Sequence, residues 1–314
     1  MIGTLILHET RPEEALMPIR RSAVVLGTLG ILSVVLGLLL KFVLVPVLTK
    51  LPGSTDLGIT YSGTGTLLNS QALQSGDTKH VIASNVPITV GRRLKVTSTH
   101  GDTAIVSDNL TIHAGTQALP SNHTYALDRT SLKGTTASKG TTVEPSKGAL
   151  SSTFPIGPKA GNAYHFYDST TRNIVPLRYA GHDKIRGRSL NVYTVAATGP
   201  VKDPGLLKML PPALPKKLFA GLASLLPADV RAKATPATLA ALPDPVPFTY
   251  TGITHITADV DRQTGVPINE HINEQVVANI TAGGQTLSLI PVLALDFQIT
   301  PASEPFPVTF RRFA

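Results

Sequence analysis

The sequence predicts a mainly β (α+β) fold: an N-terminal transmembrane helix, then an extracytoplasmic ectodomain of two similar antiparallel, curved β units carrying a Pro-rich helical insertion. Three observations predict it. Ser22–Leu48 is one long apolar run. Beyond it, short stretches alternate apolar and polar residues between turn residues. Gly and Pro number 26 and 25 in 314 residues and aromatics make up only 5%, which suits short strands joined by many turns.

The apolar run comes first. Ala23–Leu40 carries no charge, and about 20 residues suffice for a helix to cross the hydrocarbon core. Arg20 and Arg21 precede it, so residues 1–21 are expected in the cytoplasm and the large C-terminal part outside, in a single-pass plasma-membrane protein. The run is longer than a signal-peptide core and no small-x-small cleavage site follows, which favours an uncleaved anchor at residues 22–49. Ala23, Gly27, Gly30 and Gly37 fall along one helical face, a candidate seam for homo-oligomers. Met17, followed by Pro-Ile-Arg-Arg, reads as the initiator of a short cytoplasmic start.

Residues 50–152 form the expected first β unit and residues 153–314 the second. Candidate strands are Leu57–Leu67, Lys79–Val86, Arg93–Ser98, Thr103–His113, His123–Leu127, Ala163–Tyr167, Ile174–Tyr179, Ser189–Ala196, Phe248–Val260, Ile268–Ile280, Thr286–Leu295 and Val308–Phe313. Thr130–Ser152 is rich in Gly, Ser, Thr and Lys and is expected to be a mobile loop, 130–152. Residues 205–247 break the β pattern. Leu214, Leu218, Leu222, Leu225 and Leu226 make a helical stripe there, expected to cap the domain's own core. A membrane-interface helix using Lys216 and Lys217 is the alternative.

The chemistry is bounded by composition. With no cysteine, thiol nucleophiles, disulfides and zinc-thiolate sites are excluded. The net charge of +8 is scattered in pairs such as Arg92-Arg93, Lys216-Lys217 and Arg311-Arg312, which argues against a nucleic-acid partner. Asp259 and Asp261 form an Asp-x-Asp, about 6.6 Å apart along a strand, with His255 too distant to join one ion. Alternation over Phe248–Val260 instead puts both acids on the polar, solvent face of a strand. Glu270 and Glu274 share a face with Ile268, Ile272 and Val276. Two carboxylates flanking one bond would suit glycoside hydrolysis, but surface acids on an edge strand explain them more simply. His182-Asp183 falls in an expected turn. No nucleophile elbow or phosphate-binding loop occurs. Asn109, Asn122 and Asn279 open formal glycosylation sequons, read as accidents of a Thr-rich chain.

"TYALDRTSLKG" and "TADVDRQTG" share their punctuation. Aligning them puts Leu127 on Val260, Asp128 on Asp261 and Arg129 on Arg262, a short echo that suggests two related β units.

Several fragments in order carry a family resemblance: "VLTKLPGSTD" after the anchor, then "YSGTGTLLN" and "YALDR". They continue with "FPIGPKAGNAYHFYDSTTRNIVPLRYAGHDKIRGRSLNVYTV" and "TADVDRQTGVPINEHINEQV". The chain resembles the actinobacterial porin PorA family of membrane-anchored envelope proteins, whose conserved domain has no established function. The resemblance brings no catalytic residues with it. Members often close with a second transmembrane helix, whereas Leu287–Leu295 is too short to span as one. "VPLRYAGHDKIRGRSLNVYTV" is also similar to a strand-turn-strand unit of curved half-barrels that carry lipids, an analogy of fold only.

The expectation is a non-enzymatic, membrane-anchored envelope protein with no cofactor, metal or catalytic residue. The lipid bilayer is its partner and a lipid or glycolipid its candidate ligand. The alternative is a channel-forming, porin-like subunit that oligomerises through its anchor. A hydrolase assembled from distant residues ranks third.

Overall fold

The computed structural model describes residues 50–300, except 116, 223–224, 227 and 234, together with Ser33. The chain divides into two units, Met1–Lys50 and Leu51–Ala314, and the β-sheet belongs wholly to the second. The expected anchor (Ser33 apart), Met17, the seam of Ala23, Gly27, Gly30 and Gly37, and the candidate strand Val308–Phe313 lie outside the described residues. Among the described residues no helix is long and apolar enough to cross a membrane.

Ten strands form one antiparallel sheet: β1 (Asp56–Leu68), β2 (Ile82–His100), β3 (Thr103–Ala114), β4 (Gln117–Asp128), β5 (Tyr164–Asp168), β6 (Asn173–Ile185), β7 (Arg188–Pro200), β10 (Thr249–Asp261), β11 (Pro267–Ala282) and β12 (Gln285–Ile299). Their order is β4-β3-β2-β1-β12-β11-β10-β7-β6-β5, so the first and last strands meet in the middle. β8 (Ala213–Leu214) and β9 (Val246–Pro247) make a separate small ladder. Alternation decides which face is inside. In β2, Ile88, Val90, Leu94 and Val96 are buried while Thr89, Arg93 and Lys95 are not. The outer face of β12 likewise shows Ser288, Asp296 and Gln298 to solvent.

Two expected breaks are absent. Lys79–Val86 and Arg93–Ser98 fall largely in one strand, β2. Pro87 and Gly91 both pair with β1 at outward positions, and Pro87 lies just before the β3 ladder begins at Ile88. The irregularity on the β1 side is a bulge rather than a break. His182 and Asp183 lie within β6, and the turn comes later, at Arg186-Gly187, whose φ angles are 48° and 81°.

Among the described residues of Leu51–Ala314, five short helices accompany the sheet: α1 (Ser70–Ser75), α2 (Pro204–Met209), α3 (Lys216–Gly221), α4 (Ala228–Lys233) and α5 (Pro236–Ala241). Proline at the start of α2, with Asp203 accepting from Leu206 N, fixes where that helix begins. The Leu stripe is divided among the β8 strand, short helices and turns, yet it packs inward as a cap should. Leu214 and Leu222 join Leu73 and Val81, while Phe219, Leu226 and Leu242 pack on Tyr250, Val276 and Leu289.

Thr130–Ser152 holds the two edges of the sheet together. Thr135 N and Glu144 N donate to Ala126 O and Thr124 O of β4, both at 2.8 Å. On the other side, Leu150 N donates to His165 O of β5 and Tyr167 N of β5 donates to Leu150 O, again at 2.8 Å. Gly134 is needed because a Cβ there would stand 2.0 Å from Ser146 O. Its composition signals flexibility, but the backbone bonds and the buried Ser146, Ala149 and Leu150 make it a strap between β4 and β5.

Asp259 and Asp261 are not on the solvent face. Both are buried, because a bulge between Asp259 and Val260 shifts the register and the segment after Phe154 covers the turn. Asp259 accepts from Asn269 Nδ2 at 3.0 Å. Asp261 accepts from Gln263 N, Thr264 N and Thr264 Oγ1, with Arg188 3.6 Å away. Both acids build the turn.

Candidate functional site

The inward face of the wrapped sheet is apolar at most positions and charged at a few. Arg92 shares its parity with Val90 and Leu94, Asp108 with Val106 and Ile112, and His123 with Tyr125 and Leu127. Glu270 and Glu274 alternate with Ile272 and Val276 on β11. The simple surface reading of that carboxylate pair is therefore corrected. Glu270 is 12% exposed, and Glu274 lines the interior cavities. The two do not flank a common bond, since each has its own partner.

Three polar centres result. In the first, Arg92 donates through Nε and Nη2 to Asp108 at 2.9 and 2.7 Å, and Ser152 Oγ donates to Asp108 at 3.1 Å. Tyr61 donates to Glu270 at 2.7 Å, and Glu270 lies 3.8 Å from Arg92. Burial opposes the charge on Arg92, but Asp108 outweighs it and holds the guanidinium well above its ordinary pKa. Burial, then the nearby Glu270 charge, raise Tyr61 far above the phenol range. Arg92 and Asp108 make a fixed, bidentate pair.

The second centre is His123, whose Nδ1 is 2.6 Å from Glu144, with Ser121 Oγ 2.8 Å from Nε2. Tyr167 also donates to Glu144, at 3.0 Å, and Arg172 stands 3.8 Å away. Burial disfavours charge on both members, but their mutual bond prevails: His123 is raised and Glu144 lowered from their ordinary values. Among the described residues, His123, Glu144 and Asp203 form the one trio with donor atoms within 4.8 Å of one another, a spacing a metal could bridge. His123 Nδ1 is already engaged by Glu144, and Arg172 approaches the same carboxylate. His123, Glu144 and Arg172 form an ion-pair network, while Asp203 caps α2.

The third centre is Asp168, which accepts from Thr171 N at 2.9 Å and Thr254 Oγ1 at 3.0 Å, with Glu274 accepting from Thr170. Desolvation raises the pKa of Glu274.

Two cavities adjoin these centres. One, of about 470 Å³, has apolar walls from Leu67, Ile112, Leu206, Met209 and Leu293, with His123, Asp203 and Glu274 as its charged lining. The other, of about 150 Å³, is lined from Arg92 and Asp108 to Glu274. Ile112, Ser121, His123, Ser169, Thr170 and Glu274 border both. Sequence reasoning missed Arg92, Asp108, His123 and Glu144. Inward parity among apolar neighbours was the available signal for the first three, and Glu144, in a segment without periodicity, gave none.

Residues 22–305 match the family described as Porin PorA. The chain belongs to the PorA family. PorA membership makes it a membrane-associated envelope protein with the lipid bilayer as partner, and not an enzyme. Among curated proteins none matches the chain. A crystal structure of a conserved hot-dog-fold protein of unknown function from Alicyclobacillus acidocaldarius aligns over 79% of each chain at 13% identity, with a TM-score of 0.13. That likeness is too slight to describe the PorA sheet.

Proposed function

We propose that the chain is a single-pass envelope protein, N-terminus inside, that acts as a channel-forming subunit through oligomers of its N-terminal segment. The match to the porin family over residues 22–305 carries this reading and favours it over ligand carriage, which the sequence put first. The polar outer face of the sheet, with Thr89, Lys95 and Gln298 among its residues, is unsuited to lipid. Conductance is therefore assigned to Ser22–Leu48, with Ala23, Gly27, Gly30 and Gly37 at the helix contacts. Planar-bilayer recordings of the full chain test it. Unitary steps whose frequency rises steeply with protein concentration, and vanish when Gly27 and Gly30 are changed to Leu, are expected. Silence at every concentration would remove the reading.

The cavity supports a second reading, binding of a lipid or other amphiphile inside the β domain. Its volume of about 470 Å³ lies in the range of small-molecule sites, with apolar walls and a few polar groups. Native mass spectrometry of chain released from nanodiscs tests it; a persistently empty domain would count against it.

A further inference from the structure

We propose that the cavity binds a single-chain amphiphile whose headgroup is a protonated amine, seated at Glu274 and Asp203 with its tail along Leu67, Leu293 and Met209. This rests on the amphiphile reading above and adds the chemistry of the head.

The shape argues for an amphiphile. Leu67, Leu68, Val292 and Leu293, from the adjoining strands β1 and β12, line the cavity, and Leu206 and Met209 of α2 line it too. Leu207 and Met209 are exposed, at 41% and 40%, so α2 presents apolar side chains to solvent as well. Polar groups gather where the larger cavity borders the smaller one, at Ser121, His123, Thr170 and Glu274. A molecule with one polar and one apolar end matches that division.

The charge argues for an amine. Around the two cavities stand the carboxylates of Asp108, Glu144, Asp168, Asp203, Glu270 and Glu274, against Arg92, Arg172 and His123. Arg92 is committed to Asp108, and His123 to Glu144. Asp168 is occupied by hydroxyl and amide donors. Glu274 differs: Thr170 serves one of its oxygens, and Oε2 accepts no hydrogen bond among the described residues. Asp203 uses Oδ1 to cap α2. An ammonium group supplies N–H donors and a positive charge to these two carboxylates, whereas a sulfate or phosphate head would face them with like charge.

Photolabelling tests this with the full chain in phosphatidylcholine nanodiscs. Dodecylamine carrying a chain-end diazirine is expected to label peptides containing Leu67 and Leu293. Unlabelled dodecylamine should compete at concentrations at least about tenfold lower than dodecyl sulfate does, the ratio that one favourable charge contact produces. Glu274→Gln, which keeps an acceptor for Thr170, should abolish that preference while wall labelling persists. Leu293→Trp, which fills the apolar end, should abolish labelling. Equal competition by the sulfate, or a preference unchanged in Glu274→Gln, overturns the headgroup assignment and leaves the amphiphile reading standing. Failure of every probe, including a diazirine dodecanol, to label the wall peptides of the folded protein overturns both. A circular-dichroism melt confirms that each variant is folded before labelling.

Discussion

Asp128 and Asp261 close the same turn at the ends of β4 and β10. Asp128 accepts from Ser131 N and Oγ at 2.7 Å, and Asp261 from Thr264 N and Oγ1 at 2.8 and 3.1 Å. Each Asp N–H donates to the carbonyl five residues on, Lys133 or Val266, at 2.9 Å. The left-handed position is Leu132 in one turn and Gly265 in the other, with φ of 54° and 74°. Asp261→Ala strips acceptors from two amides and a hydroxyl and is expected to cost about 1–3 kcal/mol. Leu132→Gly relieves a strained φ but gives up a buried side chain, so it should gain far less than the backbone alone suggests. Chemical denaturation of both variants measures this.

Arg92 and Asp108 are buried charges that depend on each other. Removing one partner leaves the other unpaired, so Arg92→Met or Asp108→Leu should each cost about 3–5 kcal/mol. The double variant should recover a large part of that loss. Urea titrations of the three proteins form the cycle; additive losses would show that the pair is not coupled.

The His123–Glu144 pair has a pH window with a definite sign. His123 is raised in the fold, so its share of stability is complete below the ordinary value of 6.5 and is lost as pH rises through the raised one. Glu144 is lowered, so its share is complete above 4.5 and is lost as pH falls through the lowered one. The melting-temperature gap between the native chain and His123→Gln should therefore be widest between pH 4.5 and 6.5 and should narrow outside that window.

Glu274 runs the opposite way to most carboxylates. Its pKa is raised in the fold by desolvation, so stability falls as pH rises from the ordinary value of 4.5 through the raised one. Glu274→Gln is expected to match the native chain below that window and to melt higher than it above. Thermal scans on either side of the window decide it.

Gly63 sits where β1 meets β12. A Cβ there would lie 1.9 Å from Asp296 O and 2.6 Å from Phe297 Cα, neither of which can yield without parting the strands. Gly63→Ala should cost about 3 kcal/mol or more, the upper range for overpacking, read out as loss of the folded fraction in urea.

The strands were legible because alternation reports a half-buried sheet directly, as in Phe248–Val260. The inward charges were not, and Arg92-Arg93 shows why: two identical neighbours face opposite ways, one into the core and one to Asp56 at the surface. Glu270 and Glu274 stood out through their parity with Ile272 and Val276. A buried carboxylate becomes credible only once its partner is known, and Tyr61 lies 209 positions earlier. The strap at 130–152 was illegible for a related reason. It is held by backbone bonds and by Glu144 and Ser152, whose partners His123, Tyr167 and Asp108 lie on other elements.

Because β1 pairs with β12, the sheet's central seam joins the start of the domain to its end, with Thr300 bonded to Thr60 across 240 positions. Closing a loop of that length costs about 5 kcal/mol of chain entropy beyond a constant term, and only contacts along the whole seam repay it. A ribosome or translocon delivering the chain in order must release β12 before the seam can form. Until then β1 and β11 each present a bare edge, so the interval between synthesis of β1 and arrival of β12 is when the protein is most open to mispairing with its neighbours.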